Sequence, residues 1–309
     1  MTITKTHGLI AAPFTPFHPD GTLHLDATEG YARHLQRLGV AGAFICGTTG
    51  EGASLTTAER RQVAERWVAT APKGLRVIVH VGHTSLEESR ALAAHAQAIG
   101  ADSVAALAPY FFRPDGVRGL VEWCAAIAAA APRLPFYYYH LPSLTGFNVA
   151  VADFLAAAAP RIPNLAGVKF TFEDLEDFGR CLRFADGRYD ILFGRDELLH
   201  SALQLGARGA VGSTYNFAAP LYLRLIARHD AGDEAGAAAL QRTAVEMIQA
   251  CVKAGGSPIA NFKGLMVRLG VDCGPTRLPL VNPSAEQRGE LNRRLETLGC
   301  LADSSAGAA

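Results

Sequence analysis

Lys169 is the side chain in this sequence whose type and position best suit covalent chemistry. It is one of five lysines, and it ends the short apolar run Ala166-Gly-Val, a pattern typical of a buried strand. Burial lowers the pKa of a lysine because it disfavours the charged form, and the neutral amine can attack a ketone to form a Schiff base. A lysine that only closes a strand and extends to water fits the same pattern, so other residues must decide between these interpretations.

A pair of hydroxyl residues flanked by glycines lies in the segment Cys46-Gly-Thr-Thr-Gly-Glu51. Successive amides in such a turn can form a nest for an anion, here one carboxylate, although a tight turn that needs glycine for backbone reasons has the same pattern. The segment is too short for a Walker phosphate loop and lacks its lysine, which argues against nucleotide binding. We expect Glu51 to cap or brace the loop and assign it no chemistry.

Three tyrosines end another apolar run, in Tyr137-Tyr-Tyr-His-Leu-Pro142. Alternation along a strand sends Tyr137 and Tyr139 to one face and Tyr138 to the other. A phenol near an amine and a substrate hydroxyl can relay a proton, although strand aromatics often serve packing alone. His140 follows the tyrosines, and we interpret it as a hydrogen-bonding group at the mouth of the barrel that the strand pattern predicts.

Carboxylates and hydroxyls follow the last two apolar runs, in Gly194-Arg-Asp-Glu197 and Gly212-Ser-Thr-Tyr-Asn216. These groups suit hydrogen bonds to a polyhydroxylated ligand. The acidic pair could also cap a helix and interact with its positive end, and the two roles are compatible.

Several classes of function are disfavoured by the rest of the sequence. His80-Val-Gly-His83 lacks a third ligand at a recognisable spacing, so we expect no metal site there, and no G-x-S-x-G motif supports a hydrolase. The formal net charge of zero and the pI near 7.1 give no reason to expect nucleic-acid or membrane partners. We expect no signal peptide or membrane span, and six scattered cysteines without a C-x-x-C pair predict a cytoplasmic protein.

Eight strand-like runs, each followed by a helical pattern, predict a (β/α)8 TIM barrel. The alternative is an open doubly wound sheet, but the first run is not followed by the G-x-G-x-x-G motif of a dinucleotide-binding sheet. The predicted strands are Leu9–Ala12, Ala43–Cys46, Val77–Val81, Ser103–Leu107, Phe136–Tyr139, Gly167–Lys169, Ile191–Phe193 and Ala210–Gly212. The predicted helices between them include Ala58–Ala69, Glu87–Ile99, Val117–Ala130 and Glu197–Leu205, two of them started by the capping boxes Thr56–Glu59 and Thr84–Glu87.

A helical extension follows the barrel pattern without a linker-like stretch. We predict that residues 1–228 form the barrel and that residues 229–300 form a helical extension packed on it within the same domain. Its predicted helices are Gly236–Lys253, Ile259–Leu269 and Ala285–Leu298. Residues 301–309 contain nothing to bury, and we expect them to be a disordered tail.

Together these residues resemble the pyruvate-dependent class I aldolases, a family that includes dihydrodipicolinate synthase and N-acetylneuraminate lyase. The resemblance rests on Gly47-Thr-Thr-Gly-Glu51, Tyr139-x-x-Pro142 and the strand ending at Lys169, in the right order over about residues 8 to 280. Longer matches favour the N-acetylneuraminate lyase branch. These include Phe136-Tyr-Tyr-Tyr-His-Leu-Pro-Ser-Leu-Thr-Gly146, Asp174-Leu-Glu-Asp-Phe-Gly-Arg-Cys181 and Gly274-Pro-Thr-Arg-Leu-Pro-Leu280.

Two positions separate this chain from the synthase branch, and one separates it from the lyases. Synthases usually carry an arginine five residues after the catalytic tyrosine, where this chain has Leu144, and a second tyrosine where Phe111 follows Tyr110. Arg195 stands where the lyases have a smaller or aromatic uncharged residue. If its side chain points inward it would alter which sugar is accepted, and if it points to solvent nothing would change.

The resemblance implies reversible cleavage of N-acetylneuraminate to N-acetylmannosamine and pyruvate, without a metal or organic cofactor, by a homotetramer. Lys169 would form the imine, and Tyr139 with the nearby Thr49 hydroxyl would take the proton from the substrate. The residues implied for substrate binding are Thr48, Thr171, Gly194, Asp196, Glu197 and Ser213.

Two alternatives stay open. A related pyruvate-imine enzyme, such as a 2-keto-3-deoxy sugar acid aldolase or dehydratase or a dihydrodipicolinate synthase, would keep the imine and change the substrate. A non-catalytic barrel that binds a keto acid or sugar would be stabilised by the ligand without turning it over.

Overall fold

Eight parallel strands close into one barrel in the computed structural model, which describes residues 3–299. Each strand pairs with its sequence neighbours, and the first pairs with the last. The predicted (β/α)8 architecture is confirmed, and every predicted strand lies within two residues of an observed one. The strands are β1 Gly8–Ala11, β2 Gly42–Ile45, β3 Arg76–His80, β4 Ser103–Leu107, β5 Phe136–His140, β6 Leu165–Phe170, β7 Asp190–Phe193 and β8 Gly209–Gly212.

Helices follow the strands and surround the barrel. From the first strand through the last, they are α1 Ala27–Arg37, α2 Thr57–Thr70, α3 Leu86–Ala98, α4 Val117–Ala128, α5 Pro142–Thr145, α6 Val151–Ala158, α7 Leu175–Arg183, α8 Leu199–Gln204 and α9 Tyr215–Asp230. The extension contains α10 Glu234–Lys253, α11 Pro258–Leu265 and α12 Ala285–Leu298.

Strand alternation divides the core into two layers. Side chains that point into the barrel form a small inner cluster, whereas their neighbours along each strand pack against the surrounding helices. Tyr137 and Tyr139 belong to the inner cluster and Tyr138 to the outer one, which confirms the predicted facing of the three tyrosines.

An irregularity in β6 determines which way Lys169 points. In the pairing with β5, Phe136 lies opposite Leu165 but Tyr137 lies opposite Gly167, so Ala166 is an extra residue. Ala166 belongs to the inner cluster, and the alternation resumes with Val168 in the outer one. Lys169 therefore points inward beside Tyr139, its partner in the register.

One of the two predicted capping boxes is confirmed. Thr56 and Glu59 make both reciprocal hydrogen bonds at the start of α2. The box predicted at Thr84–Glu87 is wrong, because the N-cap of α3 is Ser85, whose hydroxyl accepts from the Glu88 amide. Thr84 and Ser85 could each have capped α3, and the backbone begins the helix one residue later than the motif indicates.

The extension shares one continuous outer core with the barrel, since Met247 and Leu295 belong to the same buried cluster as the strand residues. The boundary between residues 1–228 and 229–300 remains a prediction; it falls inside α9, which continues to Asp230. The predicted tail at 301–309 lies outside the described residues. Within residues 3–299, no helix is both long and apolar enough to cross a membrane.

Candidate active site

Lys169 is buried at the mouth of the barrel, with only 5% of its surface exposed. Its Nζ lies 4.1 Å from the centres of both the Phe44 and Tyr139 rings. Burial lowers the pKa of Lys169 from 10.5 to about 7, while the nearby Asp196 carboxylate acts in the opposite direction. A large fraction of the amine is therefore neutral near pH 7, as nucleophilic attack on a ketone requires.

The Tyr139 phenol stands beside the amine and is hydrogen-bonded to Thr48. The two hydroxyl oxygens are 3.3 Å apart, and either can be the donor. Burial raises the pKa of Tyr139 to about 12, so the phenol is protonated at neutral pH. It can accept a proton from a substrate only if it passes its own proton onward, and Thr48 is placed to receive it.

Thr49 has a different partner from the one that the sequence suggested. Its hydroxyl is 2.6 Å from the Ser213 hydroxyl, and the hydroxyl next to Tyr139 is that of Thr48. Both threonines are on one tight turn, so neighbouring residues point in different directions, and a linear motif does not distinguish them. Among residues 3–299, the amides of Thr48 and Thr49 donate no hydrogen bond, which leaves them available to an anion.

The turn that carries both threonines has a constrained backbone. Cys46 and Glu51, on either side of it, adopt left-handed conformations with φ of 56° and 55°. A Cβ at Gly52 would lie 2.0 Å from the Cys46 carbonyl oxygen, so only glycine fits there. The Thr15 hydroxyl also donates to the Gly50 carbonyl at 2.6 Å.

A buried ion pair braces this turn from the extension. Lys263, in α11, donates to the Glu51 carboxylate at 2.8 Å, and both side chains are almost fully buried. The backbone amide of Arg277 donates to the second carboxylate oxygen at 2.8 Å. The interpretation of Glu51 as a brace is thus confirmed, but its partners were missed. The late motif containing Arg277 was a signal for that partner, whereas Lys263 lies outside it.

Asp196 is the buried acid of the site. One carboxylate oxygen accepts from the amide and hydroxyl of Thr214, at 3.0 and 2.6 Å, and the other has no hydrogen-bond partner within residues 3–299. A Cβ at Gly212 would lie 2.0 Å from that second oxygen, so glycine makes room for the carboxylate. Burial raises the pKa of Asp196 to about 6, with a further contribution from Glu197.

Thr171 and Gly194 both line the cavity, and they are in close contact with each other. A Cβ at Gly194 would lie 2.1 Å from the Thr171 hydroxyl oxygen, which is buried and has no hydrogen-bond partner within the described residues. The Gly194 amide donates to the carbonyl of Phe170 at 2.7 Å, which holds the two loops together.

Arg195 lies at the rim of the cavity rather than in free solvent. It pairs with Glu173 at 2.8 Å and lies 3.8 Å from the Glu197 carboxylate, with 31% of its side chain exposed. Its Nε is buried and makes no hydrogen bond to residues 3–299. Two neighbouring carboxylates therefore neutralise most of the field that this cation would exert on a ligand.

One cavity of about 180 Å³ collects all nine residues implied by the sequence. They are Thr48, Thr49, Tyr139, Lys169, Thr171, Gly194, Asp196, Glu197 and Ser213. Apolar residues complete the wall, including Leu144 from α5 and Phe262 from α11. The extension thus forms part of the cavity, which was not predicted.

Two histidines and a tyrosine that the sequence singled out do not line this cavity. His140 faces the outer layer, where its Nε2 lies 2.9 Å from the Asn148 amide oxygen, so its assignment to the barrel mouth is wrong. Alternation explains this, because Tyr139 takes the inward position. His80 is buried against the Tyr139 ring and its Nδ1 lies 3.0 Å from the Cys46 carbonyl. Tyr110 lines a separate cavity beside His80 and the buried Arg60.

Comparison with known proteins identifies the family. The model of the dihydrodipicolinate synthetase family matches residues 5–298. The chain belongs to this family. It is 40% identical over 301 residues to N-acetylneuraminate lyase of Rattus norvegicus, an alignment that covers 96% of this chain and 94% of the relative.

Solved structures agree with this assignment to the dihydrodipicolinate synthetase family. N-acetylneuraminate lyase of Proteus mirabilis superimposes with a TM-score of 0.93 and 42% identity, covering 96% of this chain and all of that one. The N-acetylneuraminate lyase of Aliivibrio salmonicida also gives 0.93, with 41% identity and 97% and 99% coverage. The expected resemblance to the lyase branch is confirmed.

Proposed function

We propose that this family member is a carbon–carbon lyase that cleaves N-acetylneuraminate reversibly to N-acetylmannosamine and pyruvate. The observation that carries the proposal is the buried Lys169 amine, with its pKa lowered to about 7, beside the Tyr139 phenol. Relatives bearing the name N-acetylneuraminate lyase, aligned over nearly the whole chain, support the choice of substrate.

The reaction begins with the open-chain keto acid. The free amides of Thr48 and Thr49 hold its carboxylate, and the Thr49–Ser213 hydroxyl pair lies on the same side of the cavity. Neutral Lys169 adds to the C2 ketone, and loss of one water with uptake of one proton from solvent gives a protonated imine. This imine withdraws electrons, so the mechanism uses no metal or organic cofactor.

Bond cleavage then needs a proton acceptor at the C4 hydroxyl. The Tyr139 oxygen takes this proton as its own passes to the Thr48 oxygen and the Thr48 proton passes to the bound substrate carboxylate, and the C3–C4 bond breaks. The bonding electrons move to the imine nitrogen and leave an enamine on Lys169, while the sugar departs as an aldehyde. The same hydroxyl pair returns the proton to C3, and water releases pyruvate and restores the amine.

The remaining lining residues bind the sugar. Asp196 has an unused carboxylate oxygen, Thr171 has an unused hydroxyl, and Glu197 lies beside them. Gly194 lets the Thr171 hydroxyl reach the cavity, because a side chain at position 194 would collide with it.

One observation favours a second candidate, a 2-keto-3-deoxy sugar acid aldolase or dehydratase. Arg195 lines the cavity with an unused Nε, which suits a substrate with a second acidic group. Its pairing with Glu173 and Glu197 weighs against this role. A synthase is disfavoured because Leu144 places an apolar side chain where a second carboxylate would need a cation.

Pyruvate release from N-acetylneuraminate, measured against a panel of 2-keto-3-deoxy sugar acids, tests the substrate. Borohydride with pyruvate tests the intermediate, and mass spectrometry should find a reduced three-carbon adduct on Lys169. The exposed Lys73 is the matched control, and Lys73→Arg should label and turn over as the wild type does. An adduct confined to another lysine, or stabilisation by ligand without turnover, would refute the proposal.

Assembly and location extend the proposal. We infer a homotetramer, supported by the Phe111 and Phe112 rings, which meet edge to face and are 75% and 85% exposed on the single chain. Light scattering on the purified protein tests this assembly. We infer a cytoplasmic location from the scattered cysteines, of which the five within residues 3–299 are all buried.

A further inference from the structure

We propose that the corner where α8, α9 and α10 meet binds one transition-metal dication of the Zn²⁺ type. The ligands are His200, His229 and Glu234, one from each helix. Their ligand atoms all lie within 4.8 Å of one another. None of the three ligands lines the cavity around Lys169, and the ion would contribute no step to the imine chemistry.

The geometry is close to that of a coordination site. His200 Nε2 lies 2.6 Å from one oxygen of Glu234, and His229 Nδ1 lies 2.8 Å from the other. A tetrahedral ion with bonds of about 2.1 Å separates its ligands by about 3.4 Å. Each contact would therefore open by less than about 1 Å, which a partly exposed carboxylate at the start of a helix can accommodate.

The surroundings also suit a metal. The two imidazoles are mostly buried, with 12% and 21% exposure, whereas Glu234 is 47% exposed, which leaves an open side for water ligands. The Gln204 amide donates to Glu234 at 3.1 Å and orients the carboxylate, as outer groups do in metal sites. Two imidazoles with one carboxylate favour Zn²⁺, Ni²⁺ or Cu²⁺ over Mg²⁺ or Ca²⁺.

Ordinary ion pairing explains only part of this arrangement. His229 is in the last turn of α9 and Glu234 in the first turn of α10, positions where helix dipoles favour their charges. His200, from α8, contacts the Glu234 oxygen that His229 does not. One carboxylate shared by two imidazoles from two further helices is more than a single ion pair needs.

Metal binding would connect the extension to the loop that carries the buried acid. The side chain of Gln241 in α10 accepts from the His200 amide at 2.9 Å and donates to the Asp196 carbonyl at 3.1 Å. A metal on His200 would hold α8 and α10 together at this junction. The expected consequence is a higher melting temperature, because a ligand that binds only the folded state stabilises it.

The test uses untagged, chelator-treated full-length protein titrated with Zn²⁺ by calorimetry and equilibrium dialysis, and with Co²⁺ by visible absorption. The wild type should bind one ion per chain with a micromolar Kd, and its melting temperature should rise by a few degrees. His229→Asn and Glu234→Gln should each weaken binding at least tenfold. The matched control is His95→Asn, because His95 makes a 2.8 Å pair with Glu65 to which residues 3–299 add no third ligand, and it should bind as the wild type does.

Two results would overturn the proposal. One is a wild type that takes up no more metal than His229→Asn, which would leave only an ion-pair cluster at this corner. The other is equal loss of binding in His95→Asn, which would indicate scattered surface histidines. Circular dichroism verifies that each variant is folded, and Glu234→Gln gives an independent answer if His229→Asn is not.

Discussion

Imine formation at Lys169 should follow a titration near pH 7. The pKa of this lysine falls from 10.5 to about 7, a difference of about 3.5 units that corresponds to roughly 5 kcal/mol. About half of the amine is then neutral at pH 7, compared with about one part in 3,000 for an unperturbed lysine. The lowered pKa therefore increases the reactive neutral form about a thousandfold, and burial is its main cause.

Reductive trapping measures this directly. The protein is incubated with pyruvate and cyanoborohydride across a pH series, and mass spectrometry quantifies the Lys169 adduct. The initial rate should rise about tenfold between pH 6 and pH 8 and then level off, since a group of pKa near 7 is almost fully neutral by then. The exposed Lys73 provides the internal control, with slow labelling that continues to rise at alkaline pH.

A variant sharpens the test. The Asp196 carboxylate raises the pKa of Lys169, so Asp196→Asn should move the midpoint of trapping to lower pH. The same change should weaken sugar binding, which a separate KM measurement would detect. Lys169 labelling that keeps climbing tenfold per pH unit above pH 8 would refute the reasoning, because the amine would then be solvated.

Three further outcomes are expected. Tyr139→Phe should lower kcat about 10²- to 10⁴-fold, yet trap pyruvate on Lys169 at close to the wild-type rate; loss of trapping would contradict the relay. Lys263→Met should lower the free energy of unfolding in urea by about 3–5 kcal/mol, because it leaves the Glu51 carboxylate buried without its cation. Adding Glu51→Gln should recover part of this loss. An unchanged free energy of unfolding would contradict the bracing role of the ion pair. Arg195→Val should leave turnover of N-acetylneuraminate within a few-fold and reduce that of substrates with a second acidic group, as kcat/KM across the panel would show.

Lys169→Met should stabilise the fold at pH 7. The folded-state pKa lies below the unfolded one, so burying this lysine costs free energy near and below pH 7, where the amine must either lose its proton or be buried as a cation. The unfolded chain binds more protons between about pH 7 and 10.5, so the wild type becomes relatively more stable as the pH rises through that window. Urea unfolding should show a gain of a few kcal/mol near pH 7 that shrinks towards pH 10. An equal gain at both pH values would exclude this cause.

The elements were predictable because their signals are local. Period-two alternation and apolar runs located all eight strands, and Thr56 with Glu59 marked the start of α2. Contacts between segments that are distant in the sequence were harder to predict. Lys263 and Glu51 are separated by 212 positions, and nothing in either neighbourhood indicates that the two charges meet in the core.

The sequence by itself determined the barrel, the types of reactive groups and the strand ends that carry them. Only the tertiary structure decided which of these groups face one another. The extra residue Ala166 in β6 changes the phase of alternation, so Lys169 points inward to Tyr139. A pattern of residue types records the period of a strand but not a one-residue shift in its pairing, since that shift depends on the neighbouring strand.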